Sequence, residues 1–450
     1  MQRHTVTTAA ELNAAVTSGS KDIEITGEIR GLPMLTLPEG VSLRGGVLGF
    51  NAKGVRLTRD NLLEDIRIET QEHEAAILND TSVAGLGELH LRNVVTVGQV
   101  LLLARDAVRG GHVRVDGLTV AAADLRGRFE RPHGWAPGFI EVQQGGFTLW
   151  NMHTDPDVTI TAELLDIAAG SADHPIRGTG VLVGGHGVYN GSGGKLAVTT
   201  LRTGEVHADS GIVPQTFDLI SGGVFVVSGA EIRQVTNAGT VVTYGANQPV
   251  FDNWGDVGTW TVEQPITSHG PSGVGFVQFG SLDLLDVRAP ITTMGPGGRG
   301  FNLYDGTLQH AVFDSITTHG DGGVGIVVSK PLPLLEIRGD LTTLGGEGYS
   351  LYYGVQVPLK AAALDVKQSG SIGTFRSDGG IVTKGDDVIT VVIEGEIGEF
   401  SAKHGIAAEG AHSDAVHVRG TVPGLDTAEI SARDGRKLVR LDTSHPMVHG

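Results

Sequence analysis

The chain has 450 residues, with 68 Gly and no Cys, and its 33 Lys and Arg against 51 Asp and Glu give a formal net charge of −18. The missing cysteines exclude disulfide scaffolds, thiolate metal sites, iron–sulfur clusters and a cysteine nucleophile. The glycine content is about twice the usual share, which argues against an ordinary helical or Rossmann protein. Because an acidic surface repels phosphate backbones and anionic lipids, the composition predicts neither a nucleic-acid nor a membrane partner.

Two features bear on the cellular compartment. No stretch approaches the roughly 18 apolar residues of a membrane span. The first residues, MQRHTVTTAAELNAAV, lack the basic-then-apolar profile of a signal peptide. These observations favour a cytoplasmic protein; a secreted protein whose leader has been removed is the alternative.

The N-terminal segment 1–20 is predicted to be a cap. AELNAAV reads as a short helix, and the strand-like segments DIEITGEI and LTLPEGVSLRGG follow it. A helix at this place would cover the open strand edges at the end of a stack of coils.

Residues 120–180 interrupt the strand rhythm with Arg, Pro, His and Trp and are predicted to be a loop insertion. Insertions of this kind usually map to one face, often the binding face. Trp135, Trp150 and His153 could therefore form a wall whose aromatic rings stack on sugars. The alternative is that they pack at a subunit interface.

Residues 206–240 are about ten residues longer than the 25-residue repeat units that follow them. The excess predicts a second loop insertion. Glu205, His207 and Asp209 alternate along a strand here and so share one face. An acid, an imidazole and a second acid could transfer protons or hold a metal. The same residues could also be a hydrated outer strand face. The prediction for the whole chain includes no metal and no other cofactor.

Residues 241–430 repeat with a period of 25. Each repeat has Gly at its fifth position, and five of the six intervals are 25 residues long. These glycines are Gly245, Gly270, Gly295, Gly320, Gly345, Gly385 and Gly410. The period is too short for strand–helix units and matches three short strands joined by glycine-rich turns.

Such a repeat predicts an all-β fold, a right-handed parallel β-helix with about 25 residues per coil. Equivalent residues would stack in columns at about 4.8 Å per coil. One core column would hold Ile266, Ile291, Ile316 and Leu341. A second would hold Phe251, Phe276, Phe301, Ile326 and Leu351. The repeated glycines are expected to supply positive φ at the corners. We predict one domain over 1–430 and a C-terminal tail over 431–450.

The capping helix AELNAAV, the segments DIEITGEI and TLPEGVSLRGG, and the glycine-cornered coils resemble the pectate-lyase-like superfamily of parallel β-helix proteins. The resemblance implies a carbohydrate substrate class. Gly185-His186-Gly187 is similar to one polygalacturonase motif, but its companions Asn-Thr-Asp and Arg-Ile-Lys are missing. The resemblance therefore supplies architecture and substrate class rather than one mechanism.

The fourth repeat position is expected to point outward, since the first points inward. It holds Tyr244, His269 and His319, and the two histidines would lie two coils apart, about 10 Å. That distance suits groups flanking one sugar ring. The alternative is that the histidines cap glycine corners on a solvated face.

The fourteenth position holds Trp254, Phe279 and Tyr304. Rings that step by one coil could stack on successive sugars, or they could be ordinary core. Asp252 and Asp305 lie beside them and form the predicted pair of catalytic carboxylates. Arg299 and Lys330 lie near the same corners and are predicted to bind substrate.

Two functions follow. The first is a carbohydrate-active enzyme, a hydrolase or transferase acting on the glycosidic bonds of an oligo- or polysaccharide through paired carboxylates, with a polysaccharide lyase as the alternative reaction. The second is a non-catalytic β-helix for glycan binding or oligomeric assembly, for example as a trimer.

Overall fold

The structure is a computed structural model that describes residues 3–130, 140–186, 193–352 and 355–441. Trp135, which is predicted to belong to a loop wall, lies outside these described ranges. Within the described ranges, no helix is long and apolar enough to cross a membrane.

The chain forms two compact units. The first contains Met1–Gly211 and Val224–Ala238, and the second contains Ile212–Gly223 and Gly239–Gly450. In both units short strands pair in parallel and build long sheets, so the prediction of a parallel β-helix is confirmed.

In the first unit, one short helix precedes most of the strands. The helix is Ala9–Thr17. The strands are His4–Val6, Asp22–Ile25, Glu28–Leu32, Leu35–Thr36, Ser42–Arg44, Val47–Phe50, Val55–Leu57, Leu62–Glu64, Arg67–Glu69, Ala75–Asn79, Glu88–Val97, Gln99–Ala104, Gly110–Ala122, Phe129–Glu130, Glu141–Gln143, Gly145–Asn151, Thr159–Ala169, Thr179–Gly184, Lys195–Ala208, Val224–Val226 and Ala230–Asn237.

The helix begins with a capping box. The Thr8 hydroxyl accepts the backbone N–H of Glu11, and the Glu11 carboxylate accepts the backbone N–H of Thr8 at 3.1 Å. These bonds satisfy amide groups that have no partner within the helix. Leu12 and Ala15 are buried against the first strands, as expected for a capping helix.

In the second unit six coils contain a first, a second and a third strand, and the last two described coils contain a first and a second strand. The first strands are Val241–Thr243, Ile266–Ser268, Ile291–Thr293, Ile316–Thr318, Leu341–Thr343, Ile381–Thr383, Ile406–Ala408 and Ile430–Ala432. The second strands are Phe251–Asn253, Val274–Gln278, Arg299–Leu303, Val324–Val328, Leu364–Val366, Ile389–Ile393, Asp414–Arg419 and Leu438–Leu441. The third strands are Asp256–Val262, Ser281–Val287, Thr307–Phe313, Pro331–Ile337, Ser371–Ser377 and Glu396–Ala402.

Three further elements lie outside this pattern. They are the short strand Leu219–Ile220, an antiparallel hairpin of Glu347–Tyr352 with Val355–Lys360, and the 3-10 helix Leu425–Thr427. The segment expected to be a tail contains Leu438–Leu441, which pairs with Asp414–Arg419.

The register of the first strands confirms the predicted core column. Ile266 pairs with Ile291, then Ile316 and Leu341 follow in turn, and all four are fully buried. The second column is correct through Ile326 but wrong at its last member. Ile326 pairs with Leu364, and Leu351 lies in the hairpin instead. The reason is that 15 extra residues leave the coil between Leu341 and Ile381.

The repeated glycines have a different role from the one expected. From Gly270 onward, none of the fifth-position glycines has a positive φ. A Cβ on any of these six would instead collide with the carbonyl group of the glycine one coil earlier. The column is therefore glycine because stacked corners approach too closely for a side chain.

In several coils the third residue of the first strand is a buried Thr whose hydroxyl bonds to a backbone carbonyl further along the same coil. Thr318 Oγ1 donates to the carbonyl of Gly323 at 2.9 Å, and Thr343 Oγ1 donates to the carbonyl of Ala361 at 2.7 Å. Thr293 Oγ1, equally buried, has no such bond. The repeated Thr pairs therefore have a structural role at the third position.

Candidate functional site

A cleft opens on the surface of the second unit. One wall is the loop 212–223 and the other is the hairpin Glu347–Lys360. Its volume is about 420 Å³, within the range of small-molecule sites. The lining residues are Pro214, Gln215, Ala246, Asn247, Pro271, Ser272, Pro296, Asp321, Glu347, Gly348, Tyr349, Leu351 and Gln356.

The floor of the cleft is a ladder of coil corners. Ala246, Pro271, Pro296 and Asp321 hold the same position in four consecutive coils. Backbone bonds connect the corners: the N–H of Asn247 donates to Pro271 at 2.9 Å, and the N–H of Ser272 donates to Pro296 at 2.8 Å. The floor therefore advances by about 4.8 Å per coil on a hydrogen-bonded backbone.

The hairpin is attached to this floor by two hydrogen bonds. Ser350 Oγ donates to the carbonyl of Gly297 at 2.9 Å, and the N–H of Leu351 donates to Ser272 Oγ at 3.0 Å. Leu359, from the second strand of the hairpin, packs against Val324 and its buried neighbours. The wall is thus held by side-chain bonds on one strand and apolar contact on the other.

Both walls expose large apolar side chains. Val213 and Phe217 on the loop are 71% and 58% exposed, and Tyr349 and Val355 on the hairpin are 60% and 61% exposed. Among the other large apolar residues in the described part of the chain, Met34 and Met294 are the most exposed, at 39% and 42%. Of the four side chains on these two segments, Tyr349 lines the cleft, and an exposed aromatic ring on a concave surface indicates a binding site.

Two carboxylates lie at one end of the floor. The N–H of Gly346 donates to Asp321 Oδ1 at 2.9 Å, and Glu347 is the next residue. Both carboxylates line the cleft. This arrangement leaves Asp321 Oδ2 and the Glu347 carboxylate as acceptors for a ligand.

The predicted histidine column is exposed, as expected from the alternation. His269 and His319 are both exposed, and the ring of Tyr244 stacks on that of His269 with 5.2 Å between centroids. Pro271 and Asp321 of the floor follow these histidines by two residues. Neither histidine lines the cleft.

The two predicted catalytic carboxylates occupy different environments. Asp252 is fully buried on the second strand, in register with Val277 and then Asn302. Burial raises the pKa of Asp252 well above its usual range, although a hydrogen bond from the Trp254 indole partly opposes this. Its carboxylate oxygens have no other hydrogen-bond partner in the described part of the chain.

Asp305 lies at the corner that follows the strand Arg299–Leu303. It is half-buried and pairs with Lys330 Nζ at 2.9 Å, so these two predicted site residues are brought together. Its Oδ1 also accepts the N–H of Gly306 at 2.9 Å. Arg299 is buried, with 8% exposed.

The predicted aromatic column exists as a stack of rings. Trp254 meets Phe279 edge-on at 6.1 Å between centroids, and Phe279 meets Tyr304 at 4.9 Å. Trp254 is buried, whereas Phe279 and Tyr304 are half-buried. Packing between neighbouring coils accounts for this column.

The remaining predicted residues lie in the first unit. His207 Nε2 is 2.7 Å from Glu205 Oε1, but Asp209, just after the strand ends, pairs with Arg177. Among the described residues, no group of three or more His, Asp or Glu side chains is arranged to hold a metal ion.

Trp150 and His153 follow one another closely in the same unit. Trp150 is buried and donates its indole N–H to the carbonyl of Gly185 at 3.1 Å. His153 is half-buried. Trp150 therefore packs inside the unit rather than presenting its ring to a ligand.

Sequence reasoning missed the hairpin that carries Tyr349 and Glu347, and it did not identify Asp321 on the floor as a site residue. The available signal was the 15-residue excess between Leu341 and Ile381, which contains the alternating stretch EGYSLY before its turn. Insertions on regular coils often carry the binding residues.

Comparison with known proteins gives no match. No family model, no curated protein and no solved structure is significantly similar to this chain.

Proposed function

We propose that this protein binds an oligo- or polysaccharide in the cleft between the loop 212–223 and the hairpin Glu347–Lys360. The observation that carries the proposal is Tyr349, which is 60% exposed in a cleft whose other lining residues are mainly amide, carboxylate and proline side chains. Exposed tyrosine is apolar on its faces and polar at its tip. It can therefore pack against the C–H face of a sugar while remaining solvated.

The polar lining suits hydroxyl groups. Gln215, Asn247 and Gln356 each offer an amide that both donates and accepts hydrogen bonds. Asp321 and Glu347 accept only, when ionised. A sugar hydroxyl also donates and accepts, so each of these groups can bond to one without leaving a polar atom unpaired.

The architecture gives independent support. The coils resemble those of the pectate-lyase-like superfamily, whose members mostly act on carbohydrates. Because one fold hosts many functions, this resemblance supports the ligand class and not a reaction.

Cleavage of glycosidic bonds is the second candidate. It is favoured by the presence of two carboxylates, Asp321 and Glu347, at one end of one cleft. Glycosidases use an acid and a nucleophile or base that both contact the scissile bond. Asp252, which has no exposed surface, gives this candidate no support.

Calorimetric titration of the full chain with a panel of neutral and charged oligosaccharides tests the proposal. We expect Tyr349→Ala to weaken binding about two- to tenfold, the range of an aromatic contact. Val355→Ala is the matched control, since Val355 is equally exposed on the same hairpin but does not line the cleft.

Three outcomes separate the candidates. Binding without any change in ligand mass supports the binding protein. Hydrolysed or transferred products that vanish in Asp321→Asn or Glu347→Gln support the enzyme. Absence of binding across the panel, or equal affinity of Tyr349→Ala and the wild type, contradicts the proposal. The homo-oligomer, for example a trimer, stays a prediction that light scattering on the full chain measures.

A further inference from the structure

The charges of the cleft narrow the class of glycan, on the premise that the proposed function is correct. Asp321 and Glu347 are the charged side chains among the described lining residues, and no Lys, Arg or His joins them. No ion pair among the described residues neutralises either carboxylate. The described lining of the cleft therefore presents two carboxylates and no cationic side chain to a ligand, with Lys360 opposite Glu347 on the second strand of the hairpin. The net charge of the chain, −18, has the same sign as these carboxylates.

This charge is concentrated at one end of the floor. The bond from Gly346 to Asp321 Oδ1 fixes one carboxylate beside the residue that carries the other. Ala246, Pro271 and Pro296, which form the rest of the floor, carry no charge. A sugar chain lying along the ladder would meet an uncharged floor first and the two carboxylates at its end.

Electrostatics then ranks ligands by their charge. A uronic acid placed beside two carboxylates is repelled, a neutral sugar is accepted through hydrogen bonds, and a protonated amine is attracted. We infer that the cleft selects an amino-sugar chain with free, protonated amines and excludes chains of uronic acids.

Three oligosaccharides of equal length test this inference on the full chain: β-1,4-linked glucosamine, its fully N-acetylated counterpart, and galacturonic acid. The first two differ by acetylation of the amine, so their comparison isolates charge from sugar shape. Titrations are run at mildly acidic pH, where the glucosamine amines are protonated, and at low and high salt.

We expect the glucosamine oligomer to bind most tightly and the galacturonic acid oligomer to show no binding. Asp321→Asn and Glu347→Gln should each weaken the glucosamine oligomer about two- to fivefold, the range for exposed charge pairs. Both variants should weaken the N-acetylated oligomer less than the glucosamine oligomer, because the neutral ligand loses hydrogen bonds but no charge pair. Added salt should weaken the glucosamine oligomer alone. Asp283→Asn, which removes one exposed carboxylate away from the cleft, should change nothing.

Equal affinity for the glucosamine and N-acetylated oligomers, or binding of galacturonic acid as tight as either, overturns the inference and leaves the proposed function standing. Failure of all three oligomers, together with the neutral panel, overturns the proposed function itself.

Discussion

Ser350 and Gly297 are 53 residues apart and share one hydrogen bond, from Ser350 Oγ to the Gly297 carbonyl at 2.9 Å. This bond joins the hairpin to a corner of the coil stack. Gly297 has φ +65°, and a Cβ there would lie 2.8 Å from Ser350 Cα and closer still to the Tyr349 carbonyl. The position of the cleft wall therefore depends on a missing side chain.

Gly297→Ala should displace the hairpin. The new methyl group both strains the backbone and collides with Tyr349, so we expect faster hydrogen exchange across Glu347–Lys360 and weaker glycan binding. Gly420→Ala is the control for backbone strain, because Gly420 has φ +79° and a Cβ added there would meet nothing within 4 Å. Equal exchange in the hairpin of both variants would contradict this account.

Thr318→Val should destabilise the second unit by about 1 kcal/mol, since it removes the buried bond to the Gly323 carbonyl. Thr293→Val makes the same change at a hydroxyl that has no bond, and should be neutral or stabilising. The midpoint of urea unfolding measures both variants. A larger loss for Thr293→Val than for Thr318→Val would show that the corner bond contributes little.

The core could be predicted from the sequence, whereas the cleft could not. The period of 25 placed Ile266, Ile291 and Ile316 in one column because each coil repeats the same geometry. The two walls do not belong to the repeat. Gln215 and Tyr349 come from separate insertions, and only the folded chain brings both to one cleft. The alternation of inward and outward side chains along a strand also could not show that Asp252 is buried.

Asp252→Asn should stabilise the protein at neutral pH. Burial raises the pKa of Asp252, so the folded chain retains a proton that the unfolded chain releases above its usual pKa of about 4. Stability therefore falls as the pH rises from about 4 through the folded pKa. The amide variant cannot ionise and should lose this dependence.

Thermal unfolding of both proteins across this pH range measures the difference, which should disappear below about pH 4. Asp305→Asn is the comparison, and it should be slightly destabilising because it removes the partly exposed ion pair with Lys330. A wild type as stable as Asp252→Asn at every pH would refute the raised pKa.

Asp414, in the last coils, should affect the pH dependence of stability in the direction opposite to Asp252. Burial acts to raise the pKa of Asp414, but hydrogen bonds from Arg436 and His417 outweigh it and lower the pKa to about 2. The stabilisation is complete above the unfolded pKa of about 4 and is lost as the pH falls towards 2. We expect a loss of about 2 kcal/mol over that interval.

Asp414→Asn should remove this part of the acid sensitivity, as measured by unfolding between neutral pH and pH about 2. Asp426→Asn is the control, because Asp426 is 71% exposed in its pair with Arg440 and should leave the acid response unchanged. If Asp414→Asn lost as much stability in acid as the wild type, the lowered pKa of Asp414 would be disproved.

The column of corner glycines limits where residues can be inserted into this chain. Each corner carbonyl occupies the space that a side chain in the next coil would need. Extra residues at the corner would place side chains in this space, so we expect no insertions there. The 15 added residues after Gly345 leave the stack as a hairpin, and Gly385 resumes the column directly against Gly345. Insertions therefore fit beside the glycine corners but not at the corners themselves. New surface, and any specificity it carries, can be added to such a protein without disturbing the stack that supports it.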